Sequence, residues 1–446
     1  MGDANDCEDF AEAVEKVLAT TDRPCLIRVR SVIGFGAPGM QGTSKIHSDP
    51  LGVDEVRLTK RALGWPEDAQ FLVPDGVRGR FDDTLGARGR KARADWEALV
   101  KRYAEAEPQL AEELRRLRAG EPPAGWDAAI PVFAPDAKGM ASREASGKVL
   151  NAVAPNYPWL LGGSADLAGS NKTRLDGDGD FQPGGYGGRN LHYGVREHAM
   201  GSISNGLALS GLRPYTGTFL IFSDYMRPPT RLAALMEVPV VFIFTHDSIG
   251  LGQDGPTHQP VETVSALRLI PGLDVIRPAD PEETAGAFAA ALERIEGPTL
   301  IALTRQAVPI LNDIPPHVRR AGVLKGGYVA APESAPLTHI LLGSGSELQH
   351  ALAAAKVLGP GTRVVSMPSF ERFNRQPAEY REAILPAACR KRVAIEAGVT
   401  PLWREYVGLD GAVIGIDRFG LSAPGGTVMK ELGITADAVV AAARTL

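Results

Sequence analysis

The chain has 446 residues, of which 44% are hydrophobic, so it is long enough for two or three domains with ordinary cores. Its formal net charge of −5 indicates neither a nucleic-acid partner nor an anionic membrane surface. Three scattered cysteines without C-x-x-C spacing predict neither a disulfide framework nor a zinc site. The N-terminus lacks an apolar signal region and no apolar run reaches membrane-spanning length, so we expect a cytoplasmic protein.

The first segment reads as part of an α/β unit. A predicted helix, DFAEAVEKVLATT, leads into a predicted strand, CLIRVRSVI, and then into a Gly/Pro-rich loop, GFGAPGMQGTSKIHSDPLG. From about Trp65 to Trp126 the sequence becomes charged and Ala-rich. A basic cluster within it predicts either a phosphate site or, as we favour, a solvated helical face: Arg88, Arg90, Lys91 and Arg93.

Strands and helices alternate from Lys138 to about Asn312. The predicted strands are WLLGGSADL, YTGTFLIF, VPVVFIFTHDS, LDVIRPAD and PTLIALTRQ, and the predicted helices are REHAMGSISNGLALS and the segment from Pro281 to Arg294. A smaller block repeats this alternation after a break near Pro315 and Pro316, ending in the helix TADAVVAAARTL. Such alternation predicts two doubly wound, mostly parallel α/β domains.

Polar side chains follow several of these strands. Ligands in open α/β sheets collect at the carboxyl ends of the strands, so these residues are candidates for a binding site. They are Ser164, Asp166, Ser170 and Asn171 after WLLGG, His246, Asp247, Asp254 and His258 after VFIF, and Arg305 after LIALT. A lone histidine at such a place is commonly a hydrogen-bonding loop residue, but two histidines on a loop fixed by Gly and Pro favour function.

Two further segments allow a structural and a functional interpretation. Glu197 lies in the first turn of a helix of small and apolar residues, where it either stabilises the helix dipole or is a desolvated carboxyl group with a raised pKa. Phe219, Phe222 and Tyr225 follow one another at intervals of three as the chain leaves a strand. These rings form either core packing or a platform for a planar heterocycle.

Two apparent motifs fail on inspection. DGDGDF, from Asp176, resembles the start of a calcium loop, but its sixth position is Phe181 and its twelfth is Gly187, so we predict a turn. GSGSE, from Gly343, lacks the full G-x-G-x-x-G pattern and predicts a tight structural turn.

Together these segments resemble transketolase, a family of thiamine diphosphate-dependent enzymes that move two-carbon ketol units between sugar phosphates. The resemblance covers nearly the whole chain in the family's order. It includes IGFGAPGMQGTSKIHSDPLG, LLGGSADLAGSN, NLHYGVREHAM, GTFLIFSDYMRP, THDSIGLGQDGPTHQP, VIRPAD, LTRQ, RVVSMPS and GLDGAVIGIDRFG. DGPTHQ alone is shared with related thiamine enzymes, whereas the full set is more specific.

The resemblance implies a role for each matching residue. Glu197 resembles the carboxyl group that shares a proton with the aminopyrimidine ring of the cofactor, and Phe222 resembles the ring that stacks on it. The other implied cofactor contacts are Phe219, Tyr225, Asp166 and Leu167. His47 matches a histidine near the diphosphate and the reacting carbon, and His258 and Asp254 match substrate-hydroxyl contacts. The implied site for the terminal phosphate of the sugar comprises Arg143, Ser170, His246 and Arg305.

The family also implies a leading domain that binds the cofactor diphosphate through Mg²⁺, using a G-D-G stretch and a later Asn. We find no such pair upstream of CLIRVRSVI and therefore expect only a remnant of that domain, with the usual Mg²⁺ ligands absent and no other metal site. The expected domains are a remnant at 1–64, a helical connector at 65–137, a pyrimidine-binding domain at 138–314 and a C-terminal transketolase domain at 315–446.

Transketolases place their active sites between the subunits of a dimer, so the expected partners are sugar-phosphate substrates and either a second copy or a protein supplying the leading domain. Three hypotheses remain open from the sequence. The chain is a subunit that works with a separately encoded leading domain, a truncated product of a longer gene, or a non-catalytic binding or regulatory protein. The first two predict that the isolated chain binds cofactor weakly and turns over slowly or not at all.

Overall fold

The computed structural model describes residues 3–136 and 138–446. The chain divides into two units, Met1–Arg102 and Tyr103–Leu446. The helices that begin in the first unit are α1 (Cys7–Leu18), α2 (Gly52–Ala62), α3 (Val77–Phe81) and α4 (Ala87–Ala106), with a 3₁₀ turn at Ser44–His47. Asp6 caps α1 because its side chain accepts from the backbone N–H groups of Glu8 and Asp9.

The predicted strand CLIRVRSVI is wrong. Residues 25–33 are assigned to no strand and are mostly exposed, with Leu26 at 93% and Val32 at 51%. A strand needs a neighbour to satisfy its backbone groups, and residues 3–102 contain no strand that could pair with it. Its apolar side chains therefore cover no core within this unit.

The basic cluster, which the sequence allowed to be either a phosphate site or a solvated helical face, lies on a solvated helical face. Arg90, Lys91 and Arg93 form ion pairs with Asp82, Asp95 and Glu97, and all six side chains are more than half exposed.

The second unit contains two α/β domains. The strands of the first are β1 (Met140–Ala141), β2 (Leu160–Ser164), β3 (Asn190–His192), β4 (Arg213–Phe219), β5 (Val241–Thr245), β6 (Asp274–Ile276), β7 (Thr299–Leu303) and β8 (Ala307–Val308). The helices of this part of the chain are α5 (Pro108–Ala119), α6 (Ser142–Val153), α7 (Ala168–Asn171), α8 (Glu197–Leu209), α9 (Arg227–Leu235), α10 (Thr263–Arg268) and α11 (Pro281–Glu293). β1 and β8 form a small antiparallel pair.

The other six strands form a parallel sheet in the order β3-β2-β4-β5-β7-β6. β5 shows why this sheet is doubly wound. Val241 and Ile243 belong to one hydrophobic core, and the alternating Phe242 and Phe244 belong to another, so both faces of the strand are buried. A strand covered by helices on both faces reads as a continuous apolar run, as VFIF does.

The C-terminal domain is a smaller sheet of the same class. Its strands are β9 (Tyr328–Ala331), β10 (His339–Gly343), β11 (Thr362–Ser366), β12 (Arg392–Ile395) and β13 (Ala412–Ile414), in the order β13-β12-β10-β11-β9, with β9 antiparallel to β11. Its helices are α12 (Pro316–Lys325), α13 (Leu348–Leu358), α14 (Phe370–Asn374), α15 (Ala378–Ile384), α16 (Arg404–Val407), α17 (Gly425–Glu431) and α18 (Ala436–Thr445). The two predicted parallel-sheet domains are confirmed.

Candidate functional site

Four adjacent parallel strands bring candidate residues to one edge of the large sheet. β2, β4, β5 and β7 are neighbours, and each ends at the same side because all are parallel. Asp166 follows β2, Phe219 ends β4, His246 follows β5 and Arg305 follows β7. This is the edge at which ligands bind in open α/β sheets.

Arg143 joins this edge from the first turn of α6. The backbone N–H of Ser142 donates to the Thr304 hydroxyl at 3.0 Å, and Arg143 N–H lies 3.4 Å from the Thr304 carbonyl oxygen, which places Arg143 beside Arg305. Its Nη1 donates to the Ser170 carbonyl oxygen at 2.8 Å. Burial lowers the pKa of Arg143, and the positive charge of Arg305 lowers it further. Two like charges held this close favour an anion between them.

His246 lies in the same cationic cluster, which comprises Arg143, Ser170, His246 and Arg305. Burial lowers the pKa of His246 to about 3, and the charges of Arg143, Arg305 and His258 act in the same direction. The ring is therefore neutral near pH 7. Its backbone has a φ of +62°, an uncommon and strained value for a residue with a side chain.

Hydrogen bonds fix the tautomer of His246. The Thr245 hydroxyl lies 2.7 Å from Asn171 Oδ1 and 2.8 Å from His246 Nδ1. The Asn171 amide nitrogen donates to the Ser164 hydroxyl, so its oxygen faces Thr245. Because Thr245 has one proton to donate to Asn171, its oxygen accepts from His246 Nδ1–H. Nε2 is then the unprotonated nitrogen.

Phe219, Phe222 and Tyr225 form a connected row of rings. Phe219 and Phe222 are stacked with an interplanar angle of 11° and centroids 5.8 Å apart, and Tyr225 lies 6.3 Å from Phe222. Phe219 and Phe222 are half-buried, whereas Tyr225 is 66% exposed. His258 meets Phe222 edge-on at 5.6 Å. Neither Phe222 nor Tyr225 belongs to a buried core, so the row is available to a planar ligand.

Glu197 begins α8 and is only 8% exposed. Its carboxylate forms no hydrogen bond or ion pair with any residue in the described part of the chain. α8 packs against the 3₁₀ segment Leu220–Met226, which carries Phe222 and Tyr225. A carboxylate on a largely buried residue, without a partner among the described residues, is free to bond a ligand, although its position at the helix N-terminus also fits the dipole interpretation.

The remaining candidates are less tightly tied to this arrangement. Asp166 has a φ of +57° and lines a cavity of about 460 Å³ with Arg174, His192 and Arg196, and Leu167 follows it half-buried. Asp254 is exposed on the loop that joins His246 to His258. His47 is exposed on the 3₁₀ turn of the first unit. The predicted roles of these four residues remain predictions.

The calcium-like segment DGDGDF is a turn, and the carboxylates of Asp178 and Asp180 in it bond neighbouring side chains. Arg189 makes two bonds of 2.8 Å to Asp178, and Asp180 is paired with Arg174 and His192. Across residues 3–136 and 138–446, no three His, Cys, Asp or Glu side chains are grouped so as to hold a metal ion.

A buried ion-pair network below the site was not predicted. Arg277 donates from Nε to Asp247, the neighbour of His246, at 2.8 Å, and from Nη1 to Glu347 and Glu396 of the C-terminal domain. All four side chains are almost fully buried. Arg277 directly follows β6, so its place at the strand end is a topological signal, but its three partners are 30, 70 and 119 residues away, which no local pattern encodes.

Three family models match the chain. The thiamine diphosphate-binding domain of transketolase matches residues 1–123, the transketolase pyrimidine-binding domain matches residues 138–310, and the transketolase-like C-terminal domain matches residues 326–435. The domain boundaries predicted at residues 64, 137 and 314 stay predictions.

The prediction that only a remnant of the leading domain is present is wrong, because the model for that domain matches residues 1–123. The prediction rested on the absence of one short motif, a G-D-G stretch with a later Asn. The absence of a short motif is weaker evidence about a domain than a match over residues 1–123. The hypotheses of an incomplete or non-catalytic chain have no support in these matches. The expectation that the usual Mg²⁺ ligands are absent also has no support in these matches.

Curated relatives align with nearly the whole chain. This chain is 52% identical to a transketolase of Physarum polycephalum over 99% of the length of this chain. It is 47% identical to a transketolase of Geobacillus stearothermophilus over 100% of that length. A structure of the Pichia stipitis transketolase with sedoheptulose 7-phosphate superimposes with a TM-score of 0.91 at 37% identity, covering 100% of this chain and 66% of that one. The chain spans 67% of the length of each of the two relatives. It belongs to the transketolase family of enzymes.

Proposed function

We propose that this chain transfers a two-carbon ketol unit from a ketose phosphate to an aldose phosphate, with thiamine diphosphate as its cofactor. One observation carries the proposal. The cationic cluster of Arg143, His246 and Arg305 adjoins the aromatic row, because His246 stacks directly on Phe219. A site for an anion is thereby joined to a site for a planar heterocycle, as a sugar phosphate reacting on a thiamine cofactor requires.

The residues at the edge of the sheet fit the pyrimidine half of thiamine diphosphate. Glu197 is a largely buried residue whose carboxylate has no partner among the described residues, and it suits a proton shared with a ring nitrogen of the aminopyrimidine. Phe222 would stack on that ring, with Phe219 and Tyr225 beside it. Asp166 and Leu167 would complete the contacts. When bound, the cofactor supplies the nucleophilic carbon at which the carbon–carbon bond is cleaved and formed.

The cationic cluster would hold the terminal phosphate of the sugar. Two guanidinium groups suit this task because each can bind an oxyanion bidentately. His258, edge-on to Phe222, would contact the substrate hydroxyls near the reacting carbon, with His47 also near that carbon, and Asp254 would bind the C2 hydroxyl. The Pichia stipitis relative with sedoheptulose 7-phosphate supports sugar phosphates as substrates here.

Mg²⁺ is proposed as the ion that neutralises the cofactor diphosphate, because two phosphate groups need a hard cation.

We also propose a homodimer. The adjacent helices α8 and α9 expose Leu209 at 64% and Leu235 at 68%, which an isolated subunit would leave in water. No described helix is both apolar and long enough to cross a membrane, and Cys7 and Cys25 are exposed free thiols. A reducing cytoplasm suits such thiols.

Calorimetric titration of the purified full chain with thiamine diphosphate and Mg²⁺, followed by a ketol-transfer assay on the same sample, tests the proposal. We expect saturable cofactor binding and transfer from a ketose phosphate to an aldose phosphate. Binding without transfer to any sugar phosphate would contradict the proposed reaction, and absence of binding would contradict the cofactor.

A further inference from the structure

A second cavity lies beside Arg305, at the junction of the two α/β domains of the second unit. Its volume is about 480 Å³, which is in the range of small-molecule sites. Leu251, Arg305 and Gln306 line it from the large sheet domain, and Ser346, His350 and Lys430 line it from the C-terminal domain. None of the three C-terminal residues has a place in the proposed ketol transfer.

The charges in this cavity are unbalanced. Among the described residues, Arg305 makes a single long bond, from Nη1 to the Leu251 carbonyl oxygen at 3.4 Å, and Lys430 is exposed and has no ion pair. Two cations therefore border the space.

The one carboxylate in the lining does not neutralise them. Glu347 is fully buried and already accepts from Arg277, from the Ser346 hydroxyl and, at 2.9 Å, from the backbone N–H of Ala397. His350 adds no charge near pH 7 because burial lowers its pKa. The cavity has cationic walls and polar donors, which suit an anion.

We propose that this cavity binds a second, phosphate-bearing small molecule between Lys430 and Arg305, separate from the sugar phosphate held by Arg143 and His246. Arg305 borders both sites, so a ligand in the cavity competes for its guanidinium. Binding at this place is independent of the proposed reaction. Its consequence rests on the proposed function: occupancy weakens phosphorylated substrates and leaves unphosphorylated ones unaffected.

Titration of the full chain with orthophosphate, without cofactor, tests the site directly. We expect two binding events in the wild type. Lys430→Gln should weaken one of them by at least about tenfold, as the loss of a charged hydrogen bond implies. Arg143→Gln should weaken only the other. Lys391→Gln removes an exposed lysine elsewhere in the C-terminal domain and should match the wild type. Equal binding by Lys430→Gln and Lys391→Gln would overturn the proposal.

Two further arms identify the source of the phosphate and separate this inference from the proposed reaction. If the phosphate at Lys430 comes from a ligand separate from the sugar phosphate, the Lys430-dependent binding of orthophosphate persists in the Arg143→Gln variant, in which the sugar-phosphate site is weakened. Loss of that binding in Arg143→Gln would show a single shared site and would overturn the proposal. Should the chain fail to transfer ketol units, the proposed function fails, but the Lys430-dependent titration still decides this inference.

Discussion

The rings of His246 and Phe219 lie face to face, with centroids 3.6 Å apart and an interplanar angle of 29°. His246 belongs to the cationic cluster and Phe219 to the aromatic row, so this one contact joins the two halves of the candidate site. The stack also holds the imidazole in a buried place where a charge is unfavourable unless an anion is near. Phosphate binding and the protonation of His246 are therefore coupled.

We predict that phosphorylated substrates bind with uptake of a proton at His246 Nε2. Burial and the neighbouring cations lower its pKa to about 3 in the free protein, and a phosphate dianion beside Arg143 and Arg305 reverses part of that effect. Because the pKa in the complex then lies between about 3 and the ordinary value of about 6.5, the proton uptake and the rise in affinity should appear as the pH is lowered from about 6.5 to about 5. Calorimetry in buffers of different ionisation enthalpy measures the uptake. His246→Gln should abolish it, and identical uptake in that variant would assign the proton elsewhere.

Arg305→Ala should discriminate between substrates. Loss of a charged hydrogen bond should weaken phosphorylated substrates by about 1.5–3 kcal/mol, with little effect on hydroxypyruvate, which carries no phosphate. Steady-state kcat/KM for both substrates measures the difference. Arg390→Ala, which removes an exposed arginine paired with Asp410, is the matched control. An equal loss of kcat/KM with both substrates would contradict the assignment of Arg305 to the phosphate.

Glu197→Gln should leave the fold intact and abolish ketol transfer. Glutamine has the same shape but cannot share a proton with the aminopyrimidine ring as a carboxyl group does. Hydrogen–deuterium exchange at the thiazolium C2 of bound thiamine diphosphate, followed by NMR, measures the effect on the cofactor. Retained exchange at the wild-type rate would show that Glu197 only stabilises the N-terminus of α8.

Sequence patterns predicted the two parallel sheets well because each strand carries its own signal. VFIF is buried on both faces, and the polar residues after it could be placed at the ligand-binding edge from topology alone. CLIRVRSVI carries the same local signal, yet strand formation depends on a partner, and pairing is not a local property.

The ring stack and the buried network were beyond the sequence for a related reason. Phe219 and His246 are brought together by the register of β4 and β5, in which Phe219 pairs with Thr245. Arg277 meets Asp247 within its own domain, but it meets Glu347 and Glu396 only after the two domains have packed. Such long-range pairs leave no periodicity in the chain, whereas the individual residues stood out by type and position.

A charge on the exposed face of α8 and α9 should prevent self-association. Leu235→Glu and Leu209→Glu each place a carboxylate on an exposed apolar position, where it costs little in the monomer and is unfavourable in an apolar interface. Sedimentation velocity should show a dimer for the wild type and a monomer for both variants. Leu409→Glu changes a leucine that is 93% exposed in the C-terminal domain and should leave the dimer unchanged. A wild-type monomer would exclude the proposed assembly.

Arg277→Leu should destabilise the second unit strongly, because it leaves Asp247 and Glu347 buried without their cation while Arg268 still holds Glu396 with bonds of 2.7 and 3.0 Å. Removing one partner of a buried pair typically costs about 3–5 kcal/mol. Chemical denaturation should show this as a transition at a lower denaturant concentration. Arg90→Leu, which breaks an exposed ion pair, should leave the transition midpoint unchanged.

The deficit of Arg277→Leu should depend on pH in a defined direction. Burial already raises the pKa of Asp247, and without the charge of Arg277 that pKa rises further. A carboxyl group whose pKa is raised by folding binds more protons in the folded state than in the unfolded state. Its unfavourable contribution to stability therefore grows as the pH rises above its pKa in the unfolded state. The difference in unfolding midpoint between wild type and variant should therefore shrink as the pH is lowered from about 8 to about 5. A difference that stays constant with pH would mean that lost packing, and not buried charge, causes the destabilisation.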